Sequence, residues 1–244
     1  MKWRRVHFLL LFLLGVTCAF PFRSHIRRLF VLCVQKAKGL KTVSDRVNEY
    51  GPEARSRLAP DFDRLGISYP PNEIVLVGLK NERLLEVWVS QESSFHLLKT
   101  YPILGSSGTL GPKLVEGDRQ VPEGLYRVES LNPNSRFHLS LRVNYPNPFD
   151  RKMGKQDGRE FLGSDIMIHG GTATIGCIPI GDEAIEELFV LVAEAGVDRV
   201  NIILSPVDFR VRDLPLAPLQ APPWSLDLYR QIRERLGELN AYSH

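Results

Sequence analysis

Cysteine is scarce in these 244 residues: three occur, at positions 18, 33 and 177. That number excludes a disulfide framework. Long apolar runs are also missing. The longest, residues 8–20, is thirteen residues, short of the roughly 20 that span a bilayer as a helix. No closely set pair of carboxylates of glycosidase type and no phosphate-cradling glycine loop stands out. The folded body has no excess of positive charge either. Residues 1–60 hold twelve Lys/Arg against three Asp/Glu, a net of +9, whereas residues 61–244 hold nineteen against twenty-five, a net of −6. The pI of 8.8 therefore belongs to the amino-terminal arm, and a nucleic-acid partner, which would need a basic patch on the body, is excluded. With 43% hydrophobic and 24% charged residues, general disorder is excluded as well.

The amino terminus has its own pattern. Lys2, Arg4 and Arg5 precede the apolar run, and Thr17 and Ala19 offer a small-residue cleavage site. This is the layout of a secretory signal, so residues 1–20 are expected to act as a signal peptide or, with Arg23, Arg27 and Arg28 following, as a membrane anchor. Residues 21–70 read as a basic helical arm. Ile26, Leu29, Phe30 and Cys33 have helical spacing, and Ser44 is placed to cap a second helix ending before Gly51 and Pro52. Such an arm suits either an anionic lipid surface or packing on the domain. Cys18 and Cys33 fall in these segments, so Cys177 is the one thiol of the acidic body. A lone thiol in an exported domain asks for a chemical reason.

From residue 70 onward the period changes to two. IVLVGL (74–79), LLEVWV (84–89), FHLLKTY (95–101) and GLYRVES (124–130) are short apolar runs broken by Gly, Asn and Ser, as in antiparallel strands. In FHLSLRVN, Phe137, Leu139, Leu141 and Val143 alternate with His138, Ser140, Arg142 and Asn144. DIMIH (165–169) and VNIIL (200–204) add two strands. Between them a helix is expected over 182–195, with Asp182 as its cap, Gly196 as its end and Ile185, Leu188, Phe189 and Val192 on its buried face. The expected fold is a mostly β domain over residues 71–210, with one or two helices packed on the sheet. A proline-rich strap and a terminal helix follow over 211–244.

The stretch IMIHGGTATIGCIPIGDEAIEEL (166–188) carries the chemistry. His169 ends a strand beside two glycines, and Cys177 follows eight residues later, before the helix. A tight turn through GGTATIG can return the thiol to the imidazole. A cysteine beside a histidine ionises more easily, and the thiolate is the nucleophile. Amides of a glycine-rich turn can hold a developing oxyanion. Two other readings stand beside this one: an inert buried thiol, and a metal site recruiting His138, although no third His or Cys lies close in sequence. No cofactor requirement is visible.

HGGTATIGC resembles the active-site motif of the YkuD-type L,D-transpeptidases, and SSGTLGPKLVEGDRQVPEGLYRV (106–128) and FHLSLRVNYPNPFD (137–150) are similar to further motifs of that family, especially its YafK-like branch. The resemblance covers roughly residues 74–204. It implies a β-rich cysteine-transpeptidase fold, export to the periplasm or cell envelope, and peptidoglycan stem peptides as substrate. By position, Cys177 is then the nucleophile and His169 its base; the Gly170 carbonyl orients the imidazole; Thr174 and Gly176 shape the turn whose amides receive the oxyanion. The thiolate attacks the carbonyl of the third stem residue, a diamino acid, and expels the residue after it. An amine then resolves the thioester in a transpeptidase. Water resolves it in an L,D-peptidase or amidase, which the branch also includes and which releases crosslinks or wall-attached proteins. A silent wall-binding module is the alternative of another class.

The chain departs from the family's pattern twice. Ile175 stands where many members have a second histidine, and Pro179 where many have an arginine that binds substrate carboxylate. Arg119 and Arg142 are candidates to supply the missing charge, and Tyr145 is a candidate groove residue. Each also has an ordinary structural reading: a turn held by Asp118 and Pro122, a solvated strand face, and a half-buried tyrosine.

Overall fold

The computed structural model describes residues 39–91, 94–213 and 221–240. The apolar run at 8–20, the first part of the arm and residues 214–220 of the strap lie outside them. Val43–His244 form one compact unit. Its helices and strands follow in the order α1 (Val43–Leu65), β1 (Glu73–Leu79), β2 (Leu84–Ser90), β3 (Phe95–Pro102), β4 (Gly124–Ser135), β5 (His138–Val143), α2 (Pro148–Gln156), β6 (Met167–His169), β7 (Ile178–Pro179), α3 (Asp182–Ala195), β8 (Val200–Ser205) and α4 (Ser225–Asn240).

The strands make one eight-stranded sheet in the order β3-β2-β1-β8-β4-β5-β6-β7. Pairing is parallel for β1 with β8 and for β6 with β7, and antiparallel elsewhere. The central strands are apolar at nearly every position because both faces are covered. In β1, Ile74 and Leu76 enter the larger core, with Leu58 and Phe62 of α1 and Leu188 and Phe189 of α3. Val75, Val77 and Leu79 point the other way, against Leu228, Tyr229, Ile232 and Leu236 of α4. The expected β-rich architecture is present: α2 and α3 accompany the sheet, α1 belongs to the helical arm and α4 is the terminal helix.

Three local expectations change. First, α1 runs through Gly51, Pro52 and Pro60. An interior proline costs about 3 kcal/mol of helix propensity, but Ala54, Leu58 and Phe62 are buried here, at roughly 1.5–3 kcal/mol for each large side chain. Arg55 pairs with Glu194 at 2.7 Å and Arg57 with Glu187 at 2.8 Å, which clips α1 to α3. Tertiary packing overrides propensity. The expected boundary near residue 71 thus lies between α1 and the sheet that it covers. Second, Asp182 is the first residue of α3 rather than its cap; Gly181 holds that position, and Gly196 ends the helix as expected. Third, α2 rises from PNPFD, where no element was expected. Asn147 and Asp150 form a reciprocal capping box, with Pro148 in the first turn. Among the described residues no helix is long and apolar enough to cross a membrane.

Candidate active site

The site lies on one face of the last three strands. The ladder sets Ser140 opposite His169 and Arg142 opposite Met167, and His169 beside Pro179. Opposed residues share a face, and residues two apart along a strand do too. Cys177 immediately precedes β7, and Ile166 and Ile168 go to the core, where both are buried.

His169 is 1% exposed. Its Nδ1–H donates to the Gly170 carbonyl at 2.6 Å, and the ring stacks on Phe137 with centroids 4.6 Å apart. That hydrogen bond fixes the neutral tautomer with Nε2 as acceptor. Nε2 is buried and has no partner. Burial pushes the imidazole pKa below its usual value, partly opposed by the Gly170 contact, so the ring is a neutral base at pH 7. The glycines do not simply leave room for the ring. A Cβ on Gly170 would meet Asp182 Oδ1 at 2.5 Å and the Phe137 carbonyl at 2.8 Å. Asp182 accepts from the Gly171 amide at 2.8 Å, so the carboxylate opening α3 holds the loop after the histidine.

Cys177 is half-buried. Its thiol donates to the Asp165 carbonyl at 3.6 Å rather than to His169. Burial pushes the thiol pKa up, a Met167 backbone contact opposes this, and the Asp165 charge adds to the rise. The acidifying imidazole contact expected from the sequence is thus not made in this conformation. Thr174 has a larger part than shaping the turn. Its Oγ1 accepts from the amides of Cys177 at 2.8 Å and Gly176 at 3.3 Å, and donates to the Cys177 carbonyl at 2.7 Å. The two amides expected to face an oxyanion are therefore engaged by Thr174. Gly176 has φ of +123°, a conformation open to glycine and rare elsewhere.

The remaining candidates separate. Arg142 donates to Glu129 at 2.7 Å and to Asp165 at 2.5 Å; its charge is neutralised, and it positions Asp165 instead of facing the cleft. Tyr145 is 4% exposed, and its hydroxyl donates to the Leu162 carbonyl at 2.9 Å, so it is a core residue tying two loops. Arg119 is exposed, with φ of +58°. The turn around it is held by Asp118, which accepts from the amides of Leu114, Val115 and Gln120 and pairs with Lys113 at 2.5 Å. The Gln120 carbonyl lies close to Gly176, so this turn borders the site. His138 pairs with Glu186 at 2.9 Å. Among the described residues no group of three or more His, Cys, Asp or Glu side chains is placed to hold a metal ion.

Sequence reasoning missed Phe137 as the cover of the imidazole, and Asp165 as the acceptor of the thiol. It missed Ser140 too, whose hydroxyl is buried without a partner beside His169. The alternation of β5 did place Ser140 on the correct face; a serine there simply carried no signal. Ile175, which replaces the second histidine, is 80% exposed. Pro179 is packed under the chain at Leu104, whose amide donates to the Pro179 carbonyl at 2.9 Å.

Comparison with known proteins matches this architecture to one family. Over 139 residues the chain is 36% identical to YafK of Escherichia coli (strain K12), and equally to that of Escherichia coli O157:H7. The aligned part makes up 55% of this chain and 53% of YafK, so the chain spans about half the length of the curated relatives it matches. Among solved structures, that of the helical cell shape determining protein Pgp2 from Campylobacter jejuni is 22% identical. It aligns with a TM-score of 0.47 over 58% of this chain and 50% of Pgp2. Mycobacterium tuberculosis L,D-transpeptidase 1 is 16% identical, with a TM-score of 0.32 over 55% of this chain and 62% of that one. The profile of the YkuD family, described as the L,D-transpeptidase catalytic domain, matches residues 72–202, which include every strand of the sheet in whole or in part. The chain belongs to the YkuD family of L,D-transpeptidase catalytic domains.

Proposed function

We propose that this protein is a cysteine acyltransferase of the cell envelope that acts on peptidoglycan stem peptides through a thioester. The observation that carries the reading is the state of His169: Nδ1 is committed to the Gly170 carbonyl, and Nε2 is left as a buried acceptor with no partner, on the strand paired with the one that Cys177 precedes. A buried polar atom without a partner needs an explanation, and a base awaiting the proton of a nucleophile supplies one.

In this reading the Cys177 thiol leaves the Asp165 carbonyl by rotation about its side chain and gives its proton to His169 Nε2. The sulfur attacks the carbonyl of the third stem residue. The tetrahedral intermediate collapses to a thioester, and His169 returns the proton to the departing amine. A second amine, deprotonated by His169, attacks the thioester and regenerates the thiol. Burial of the imidazole favours this order, since it keeps the ring neutral and ready to accept. Burial also raises the thiol pKa, which favours the protonated thiol in the free protein.

The test is intact-mass analysis of the full-length chain in mild detergent after incubation with tetrapeptide muropeptides, beside Cys177→Ala. A thioester adduct that requires Cys177, with crosslinked dimers among the products, is the expected result. Shortened monomers would make the protein an L,D-peptidase with water as acceptor. No adduct and no product, on free muropeptides and on crosslinked and protein-linked sacculi alike, would overturn the acyl-enzyme in favour of a binding module.

A further inference from the structure

A cavity of about 230 Å³ opens beside Cys177, between the β1–β2 hairpin and the chain over 103–111. Drug-sized sites usually measure about 300–1,000 Å³, so this one suits a fragment of a substrate, on the order of one residue. Cys177 and Ile178 form one side. Lys80, Asn81 and Arg83 of the hairpin and Ser107 lie among the other residues around it.

The charges around the cavity are of one sign. Lys80 and Arg83 line it, and no carboxylate does. The two cations differ. Lys80 is nearly buried, and its Nζ donates to Glu123 at 2.8 Å and to the carbonyls of Gly111 and Val121 at 3.0 Å, so its charge is answered from within. Arg83 is exposed, and its guanidinium has no partner among the described residues. The nearest acid in sequence, Glu82, is drawn toward Arg212 at 3.4 Å. Ser107 Oγ is buried and has no partner. Arg83 also has φ of +57°, where Gly or Asn is the low-cost choice. An unpaired guanidinium and an unpaired hydroxyl border one small cavity that also reaches the nucleophile.

We infer that this cavity is a carboxylate subsite, in which Arg83, with Ser107, binds a carboxylate of the substrate whose carbonyl Cys177 attacks. The planar fork of arginine matches a carboxylate through two parallel hydrogen bonds. Gly105 packs closely on this wall: a Cβ there would lie 3.1 Å from the Pro179 ring and 2.3 Å from the Thr172 carbonyl. The inference rests on the acyl-transfer reading above. A tetrapeptide stem offers two carboxylates near the scissile bond, the terminal one on the leaving residue and the free one on the diamino acid. Either has the chemistry that the subsite recognises.

The experiment is a binding measurement, so that it does not depend on turnover. Full-length Cys177→Ala in mild detergent is titrated by calorimetry with three tetrapeptide muropeptides: both carboxylates free, the terminal one amidated, and the diamino-acid one amidated. The same titrations are repeated with Arg83→Gln and Arg83→Lys added, and with Arg83→Asn, which keeps a residue suited to the left-handed backbone. Loss of a hydrogen-bonded charge pair predicts that Arg83→Gln and Arg83→Asn weaken binding of the free form about 10- to 100-fold, and that lysine recovers part of the loss. The amidated muropeptide that binds the arginine and glutamine proteins equally identifies which carboxylate is held. Equal affinity of all three muropeptides for every protein would overturn the subsite while leaving acyl transfer intact. Absence of any muropeptide binding would overturn both. Binding that depends on Arg83, in a wild-type protein that forms no thioester, would keep the subsite and remove the acyl-transfer reading.

Discussion

The two walls of the cleft are built on opposite plans. On the His169 wall the protein fixes the groups around the imidazole and the thiol: Gly170 holds Nδ1, Asp182 holds Gly171, and Thr174 holds both amides beside the thiol, while His169 Nε2 and the Ser140 hydroxyl stay without a partner. On the hairpin wall one cation, Lys80, is locked to Glu123, while Arg83 three residues later has no partner among the described residues. A catalytic wall must be fixed before substrate arrives, since reorganisation during reaction adds to the barrier. A recognition wall gains from a group left unpaired, because a bound ion then loses no competing contact.

The strongest way to break this comparison is to remove the two groups proposed to react. Cys177→Ala is expected to lower muropeptide turnover by about 10⁴-fold or more with an unfolding midpoint close to wild type, and His169→Ala by about 10²–10⁴-fold with a lowered midpoint, since the ring is buried against Phe137. Equal turnover of wild type and Cys177→Ala would end the argument for this thiol. Next in size is the support of the hairpin wall. Glu123 is 0% exposed in its side chain and also accepts from the Gly111 amide and the Tyr229 hydroxyl, each at 2.7 Å. Glu123→Ala strands a nearly buried Lys80 and should cost about 3–5 kcal/mol in urea unfolding. Tyr229→Phe, which removes one hydrogen bond, should cost about 1 kcal/mol. On the catalytic wall, Thr174→Val leaves the Cys177 amide without its acceptor and should cost about 1–3 kcal/mol, whereas Thr174→Ser should cost much less.

Two smaller effects sharpen the picture. The thiol is pushed above its usual pKa of 9.0 and the imidazole below its usual 6.5. Alkylation of Cys177 by iodoacetamide in the free protein should therefore keep rising with pH beyond 9. A plateau near neutrality would mean that a thiolate–imidazolium pair already exists. For turnover the sign is reversed at the acid end: a base whose pKa is lowered stays unprotonated further down, so kcat/KM should hold through pH 6.5 and fall only below it. Smallest is Arg142→Ala. Its ion pairs are partly exposed and should contribute no more than about 1 kcal/mol to stability. It frees Asp165, however, so a change in the alkylation rate of Cys177 is expected with almost no change in the unfolding midpoint.

Much of this was legible in the sequence because it is written in local periods. The alternation of β5 and β6 placed His169 and Ser140, and the apolar face of α3 gave its length and its end at Gly196. What the sequence concealed is written in contacts between distant segments. Nothing local in Asp165 says that its carbonyl receives a thiol twelve residues away. Arg142 reads as a solvated charge until Glu129 and Asp165 are seen on either side of it. Pro52 and Pro60 signal helix ends, and only the partners of Leu58 and Phe62 reveal that the helix continues. Arg83 and Lys80 look equivalent on a polar hairpin; Glu123, some forty residues later, makes them different.

The parallel pairing of β1 with β8 has a consequence for how the chain comes together. Ile74 sits beside Val200, 126 residues later in the sequence, with β4 closing on the far side of β8. During synthesis the β1–β2–β3 meander can form early, but its edge stays open until residues 200–205 have left the ribosome. The cysteine and the histidine are made before the strand that joins the two halves of their sheet. Cys177 therefore exists as an ordinary, accessible thiol for as long as β8 is missing, and only docking of that strand completes the sheet around it.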